Sequence, residues 1–244
     1  MQALPRPTPA RSTRSEARRR LLALALPAAL SLAAAALLVA SPPALAQAGA
    51  ADGAAQLADP ELAAALASFA KAGLDNHAAV EDAASRFSRL SAAQPADPVL
   101  RAYAGTAVAM RSLTTLLPWR KMSHAEDGLA LVDKALAQLG PADDAPRLRG
   151  VPGVLETRFI AANTFLGLPP MFNRAERGRA ELDAVLGHRL FGSAPAPFKA
   201  VVWLRAARLA EADAKPELRR QWLQKVADSG APQAGAARRQ LEAL

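Results

Sequence analysis

The sequence predicts an all-α protein of stacked antiparallel helical hairpins, and three observations predict it. Alanine is abundant while aromatics make up only 5% of the chain, a bias that suits helices packed at short range and suits a sheet poorly. Helix start and stop residues recur: Asp59-Pro60-Glu61, Asp97-Pro98 and Lys215-Pro216-Glu217 open helices, whereas Gly73, Pro141 and Gly230 end them. In the stretch from His124 to Pro141, Gly128, Val132 and Ala135 follow the order small, large, small at offsets of four and three. One face of that helix therefore lets a neighbour approach closely.

Taken in order, residues 1–46 have the three parts of a secretory signal. A basic lead ends in Arg18-Arg19-Arg20, an apolar run extends from Leu21 to Ala40, and the small-residue site Ala44-Leu45-Ala46 follows, so that cleavage leaves Gln47 first. The apolar run is about long enough to cross a bilayer as an uncleaved anchor, but its alanine richness, Pro27 and the Ser41-Pro42-Pro43 break favour cleavage. Arg18-Arg19 with Arg20-Leu21-Leu22 loosely resembles a twin-arginine export signal, with the general secretory route as the default. Either route leads out of the cytoplasm. In a Gram-negative bacterium, which this signal type and the arginine-over-lysine bias suggest, the mature chain is expected to be periplasmic or secreted. Residues 47–58 are small, polar and glycine-containing and predict a flexible leader.

The helical domain is expected over 59–244. A first helix runs to about Ala72, and a second, from about Asn76 to Ala93, carries Val80, Ala83, Phe87 and Leu90 on one face. A long third helix reaches about Leu117 and buries Leu100, Tyr103, Ala104, Ala107, Val108 and Leu116; Gly105 within it marks a close helix crossing. Pro118-Trp119-Arg120-Lys121 is expected to form the turn into the helix that ends at Pro141. After a loop over 141–151, a helix from about Val154 to Gly167 presents Leu155, Phe159, Ala162 and Leu166, and Leu168-Pro169-Pro170 breaks it. Asn173 is expected to cap the next helix, which carries Gly178, Leu182 and Val185. Helices over about 196–212, from Lys215-Pro216 to Gly230, and from Pro232 to Leu244 complete the chain.

The small, large, small order closed by a proline resembles the second helix of the tetratricopeptide repeat. Ala83, Phe87 and Leu90 with Pro95, and Gly178, Leu182 and Val185, repeat the offsets, with Leu90 and Val185 standing where the family keeps a small residue. The positions Ala83, Gly128 and Gly178 are 45 and 50 residues apart, against about 34 in the family, and the surplus falls in long first helices and in the loops near 143–150 and 167–172. The resemblance implies four hairpins, 60–93, 98–139, 152–187 and 196–228, plus a capping helix, forming a right-handed solenoid with one concave face. First helices line the groove in that family, which implies partner contacts at Arg101, Tyr103, Arg158 and Asn163.

Two turns add candidates on a shared rim. Trp119 and Arg120 lie in one, and Met171, Phe172 and Arg174 in the other, residue types that binding surfaces over-use because they join large contact area to adaptable geometry.

Charge narrows the partner classes. The net +8 is concentrated at the ends: residues 1–46 carry +5, residues 196–244 carry +4, and the middle is close to neutral. That distribution argues against a nucleic-acid partner, while Arg219, Arg220, Arg238 and Arg239 form a basic segment suited to solvent or, as the lesser reading, to an anionic membrane surface or an acidic partner. The lack of cysteine excludes disulfides, thiol catalysis and cysteine-ligated metals.

Nothing in the sequence assembles an active site. Ser68-Phe69-Ala70-Lys71 matches the Ser-x-x-Lys of penicillin-recognising enzymes, but the companion motifs are missing. His77, His124 and His188 are isolated, and Asp143-Asp144 lacks the alternating oxygen ligands of a calcium loop. No enzyme activity, metal or cofactor is expected. The sequence favours an exported protein that binds a protein or peptide partner in the cell envelope; the alternative is a helical protein that binds lipid or a small apolar ligand.

Overall fold

The structure, a computed structural model, describes residues 59–244; the export signal and leader expected over 1–58 lie outside them. The regular elements of the described residues are helical: α1 Pro60–Lys71, α2 His77–Ala93, α3 Pro98–Thr114, α4 Pro118–Gln138, α5 Gly153–Gly167, α6 Ala175–Leu186, α7 Ala196–Ala212, α8 Pro216–Ala227 and α9 Ala234–Glu242. Short 3-10 turns, Pro141–Asp144 and Leu148–Gly150, fill the connector between α4 and α5, and a third, Pro170–Phe172, lies between α5 and α6.

The helices start where the capping chemistry says they should. Asp59 Oδ1 accepts from the Glu61 and Leu62 amides at 2.9 and 3.4 Å, Asn76 Oδ1 from Ala79 at 3.1 Å, and Asp97 Oδ1 from Val99 and Leu100 at 2.8 and 3.1 Å. Each bond satisfies an amide that the first turn leaves without an intrahelical acceptor. Three boundaries differ from expectation. α3 stops at Thr114, and Pro118 is the first residue of α4 instead of part of a turn, because a fixed φ and a missing N–H suit proline to the first helical position. Asn173 does not cap α6; it takes a left-handed conformation, φ 50° and ψ 45°, that bends the chain out of the 3-10 turn, a role asparagine tolerates. The last helix begins at Ala234, two residues beyond Pro232.

The predicted small, large, small faces are the buried ones. Gly128, Val132 and Ala135 are buried on α4, Ala83, Phe87 and Leu90 on α2, and Gly178, Leu182 and Val185 on α6. An aromatic cluster joins the first three helices: Phe87 stacks on Tyr103 at 4.8 Å between ring centres, and Phe69 meets both edge-on at 5.8 and 5.1 Å. Phe159 of α5 meets Phe198 of α7 edge-on at 5.6 Å.

Side-chain contacts set the relative directions of the helices. Phe87 against Tyr103, with Glu81 paired to Arg111 at 2.9 Å, makes α2 and α3 antiparallel. Tyr103 bonded to Glu156 and Thr106 to Thr164 makes α3 and α5 run the same way. Arg179, near the start of α6, grips Asp213 at the end of α7 through two bonds of 2.7 and 2.8 Å. The α1–α2, α3–α4, α5–α6 and α7–α8 turns therefore lie along one edge. The opposite edge holds Pro95, Asp97, the α4–α5 connector and the segment leading into α7, where Arg189 pairs with Asp144.

Candidate functional site

The turn edge is where apolar surface is left uncovered. Leu74 lies in the α1–α2 turn, Leu116, Leu117 and Trp119 at the α3–α4 turn, Met171 in the α5–α6 turn and Leu218 in the first turn of α8. Leu116 is 91% exposed, Trp119 68% and Met171 71%, and the other exposed large hydrophobic residue among the described ones is the terminal Leu244. Single exposed leucines are ordinary on a protein surface. A recurrence at every hairpin turn, on one edge, is not.

The nine candidates from the sequence separate into buried and exposed sets. Arg101 is 7% exposed and donates from Nη2 to the Pro95 carbonyl at 2.7 Å; Tyr103, also 7% exposed, is stacked within the aromatic cluster. Neither faces an open groove, because α3 is covered by α2, α4 and α5 and is buried on nearly every side. Arg158 and Asn163 are half-buried on α5, with Arg158 paired to Glu181 of α6 at 2.7 Å and Asn163 bonded to its own helix at the Phe159 carbonyl, 3.0 Å. Phe172 packs against the cluster of Leu129, Val132, Ala161 and Phe165, and Arg174 lies over the Phe165 ring at 5.5 Å while pairing with Asp133 at 3.1 Å. Trp119, Arg120 and Met171 point to solvent. Leu74, Leu116, Leu117 and Leu218 belong to the same edge and were missed. Leu116 was expected on the buried face of the third helix, but that helix stops at Thr114 and leaves it 91% exposed; for Leu74, in the α1–α2 turn, the available signal was an apolar residue outside any helical face.

No family model, no curated protein and no solved structure matches this chain. The functional reading therefore rests on its own geometry.

The most perturbed ionisable groups sit on the far edge. Glu156, 2% exposed, accepts at Oε1 from the Tyr103 hydroxyl at 2.9 Å and from Arg149 at 2.9 Å; Arg149 also bonds to the Tyr103 oxygen at 3.1 Å. Burial raises the Glu156 carboxyl above its ordinary value, opposed by the Arg149 charge, and burial together with the Glu156 charge raises the Tyr103 phenol. Arg149 reaches this position from a left-handed backbone, φ 55°. Beside it Arg147 pairs with Asp97 at 3.3 Å and Asp143 at 3.1 Å. These side chains bind the connector to α3 and α5. Tyr103, Glu156, Asp97 and Asp143 are buried and Arg147 and Arg149 are partly exposed, each spent on ion pairs or hydrogen bonds that tie these segments together.

Other motifs are absorbed in the same way. Ser68 Oγ donates to Asp82 across α1 and α2, and the Arg86 and Ser68 bonds hold the Asp82 carboxyl below its ordinary range. His188 Nδ1 accepts from the Leu190 amide at 3.3 Å. Among the described residues no group of three histidine, aspartate or glutamate side chains is placed to hold a metal ion. In the basic C-terminal segment, Arg219 pairs with Glu211 at 3.0 Å and Arg238 donates to the Ala227 carbonyl at 2.9 Å, leaving Arg220 and Arg239 exposed. Arg205 on α7 is half-buried with its Nε enclosed, and burial followed by the Arg208 charge pushes its guanidinium down to about 10.

Proposed function

We propose that the chain is an exported, tetratricopeptide-like right-handed solenoid that binds a protein or peptide segment in the cell envelope without chemical change. The observation that carries this reading is the recurrence of an exposed apolar side chain at each of the four hairpin turns along one edge. Packed helices lie about 8–10 Å apart, so successive turns are spaced for about three residues of an extended segment. Such a row can hold a strand-like segment by alternate side chains, or a helix by one face. The contact residues are Met171 and Leu218, exposed on the third and fourth hairpins. The groove residues implied by the family resemblance contribute less, since Arg101 and Tyr103 are buried.

The alternative in which a lipid or small apolar ligand is held between the helices, as opposed to on a membrane surface, needs space there. A cavity lined by Leu62, Leu90, Leu100 and Leu148 together with Asp59, Gln94 and Asp97 has a volume of only about 30 Å³, far below the roughly 300–1,000 Å³ of a site for a drug-sized apolar molecule.

The test is crosslinked capture of the exported form from its own envelope, in wild type and in a Met171→Asp/Leu218→Asp variant. Both positions are exposed, so the variant should melt like wild type and lose the captured protein. A partner retained unchanged by the variant would overturn the edge as the binding surface, and catalytic turnover would overturn the non-enzymatic reading.

A further inference from the structure

The second hairpin turn differs from the other three in reach, in apolar content and in charge. Thr106 and Thr164 are bonded at 2.7 Å across α3 and α5; beyond that level α3 continues to Thr114 but α5 only to Gly167. Five extra residues at 1.5 Å each make α3 about 8 Å longer than α5 on that side. At its tip Leu116, Leu117 and Trp119 are exposed, and Arg120 and Lys121 follow, both exposed and neither in an ion pair. No acidic residue occurs anywhere between Asp97 and Glu126. The adjoining α1–α2 turn adds exposed Leu74 and Lys71 against one acid, Asp75.

We propose that this turn together with the first residues of α4, Thr115 to Lys121, seats on the surface of an anionic phospholipid bilayer. Tryptophan and leucine enter the boundary between headgroups and acyl chains, where an amphipathic ring finds an apolar side and a wet side. Arg120 and Lys121, one and two residues behind, meet the acidic headgroups. A protein groove would have to enclose the same apolar tip while supplying carboxylates to two exposed cations; a bilayer offers an apolar layer and anionic headgroups side by side. The contact goes beyond the protein-binding reading and does not depend on it.

The chain has no cysteine, so a single introduced thiol gives one labelling site. An environment-sensitive fluorophore on Leu116→Cys, in the exported form, is mixed with phosphatidylcholine vesicles with and without phosphatidylglycerol; the control carries the label on Ala142→Cys, in the connector on the opposite edge. The expected result is a blue shift and intensity gain at position 116 with the anionic vesicles alone, and no response at 142. Adding Arg120→Glu and Lys121→Glu should weaken vesicle partitioning by more than tenfold, since each surface cation contributes about fivefold. No response at 116, an equal response at 142, or an equal response to neutral vesicles would overturn the proposal. Protein capture that persists without any vesicle response would overturn it too, and would leave the proposed function standing.

Discussion

Gly105 and Gly128 face each other across α3 and α4 with no room for a methyl group on either. A Cβ on Gly128 would lie 2.5 Å from the Gly105 carbonyl oxygen and 2.5 Å from the Ala109 amide nitrogen, and a Cβ on Gly105 would lie 2.7 Å from the Gly128 oxygen. Backbone atoms cannot swing aside as a flexible side chain does, so the two helices would have to separate. Overpacking of this kind costs about 1–3 kcal/mol or more, while alanine recovers about 1 kcal/mol of helix propensity.

Gly128→Ala should therefore lose about 2 kcal/mol in urea unfolding, and adding Gly105→Ala should cost less than the sum, because one separation relieves both clashes. A Gly128→Ala variant as stable as wild type would show that the crossing is loose.

Asp97 does more than its counterpart Asp59. Both cap helices that begin with proline, but Asp97 is 7% exposed and its second oxygen pairs with Arg147 of the connector. Asp59→Ala should cost about 1 kcal/mol, the ordinary loss of a cap. Asp97→Ala should cost about 3 kcal/mol, since Arg147 is left without one of its two partners in a partly buried site. It should also speed amide exchange over residues 145–152, which Asp59→Ala should not do; hydrogen exchange followed by mass spectrometry separates the two.

Glu156 sets a pH dependence opposite to that of most carboxylates. Its folded-state value lies above the ordinary 4.5 because burial disfavours its charge. Its contribution to stability is thus fully present below about 4.5 and is lost as pH rises through the folded value. Asp82 and Asp213 behave the other way: the Arg86 and Arg179 bonds lower them from 3.8, so their contributions are present above 3.8 and lost on acidification. Glu156→Gln keeps an acceptor for Tyr103 and Arg149 and leaves Asp82 and Asp213 unchanged. The stability of wild type minus that of the variant should fall as pH rises above 4.5, with a slope no steeper than about 1.4 kcal/mol per pH unit. A difference independent of pH would mean that Arg149 holds Glu156 as an ordinary carboxylate.

Much of this fold was legible before any coordinates. Asp59 and Asp97 acted as caps, Gly105 marked a close crossing, and the offsets at Ala83, Gly128 and Gly178 pointed to buried faces, because capping and helical periodicity are decided within a few residues of chain. Pro118 was misread because proline suits both a turn and a first helical position, and Asn173 because asparagine suits both a cap and a left-handed bend. The candidate site was read less well. Arg101 and Tyr103 carry the polar groups of a groove, yet Tyr103 meets Phe87, Glu156 and Arg149 from three other segments.

By itself the sequence determined an all-helical chain, most of its helix boundaries and the faces that had to be covered. Only the tertiary structure decided which side chains were left over. Burial of Tyr103 and exposure of Leu116 depend on which helix lies opposite and how far each hairpin extends, and those are contacts between residues far apart in the chain, which no local pattern of polarity encodes.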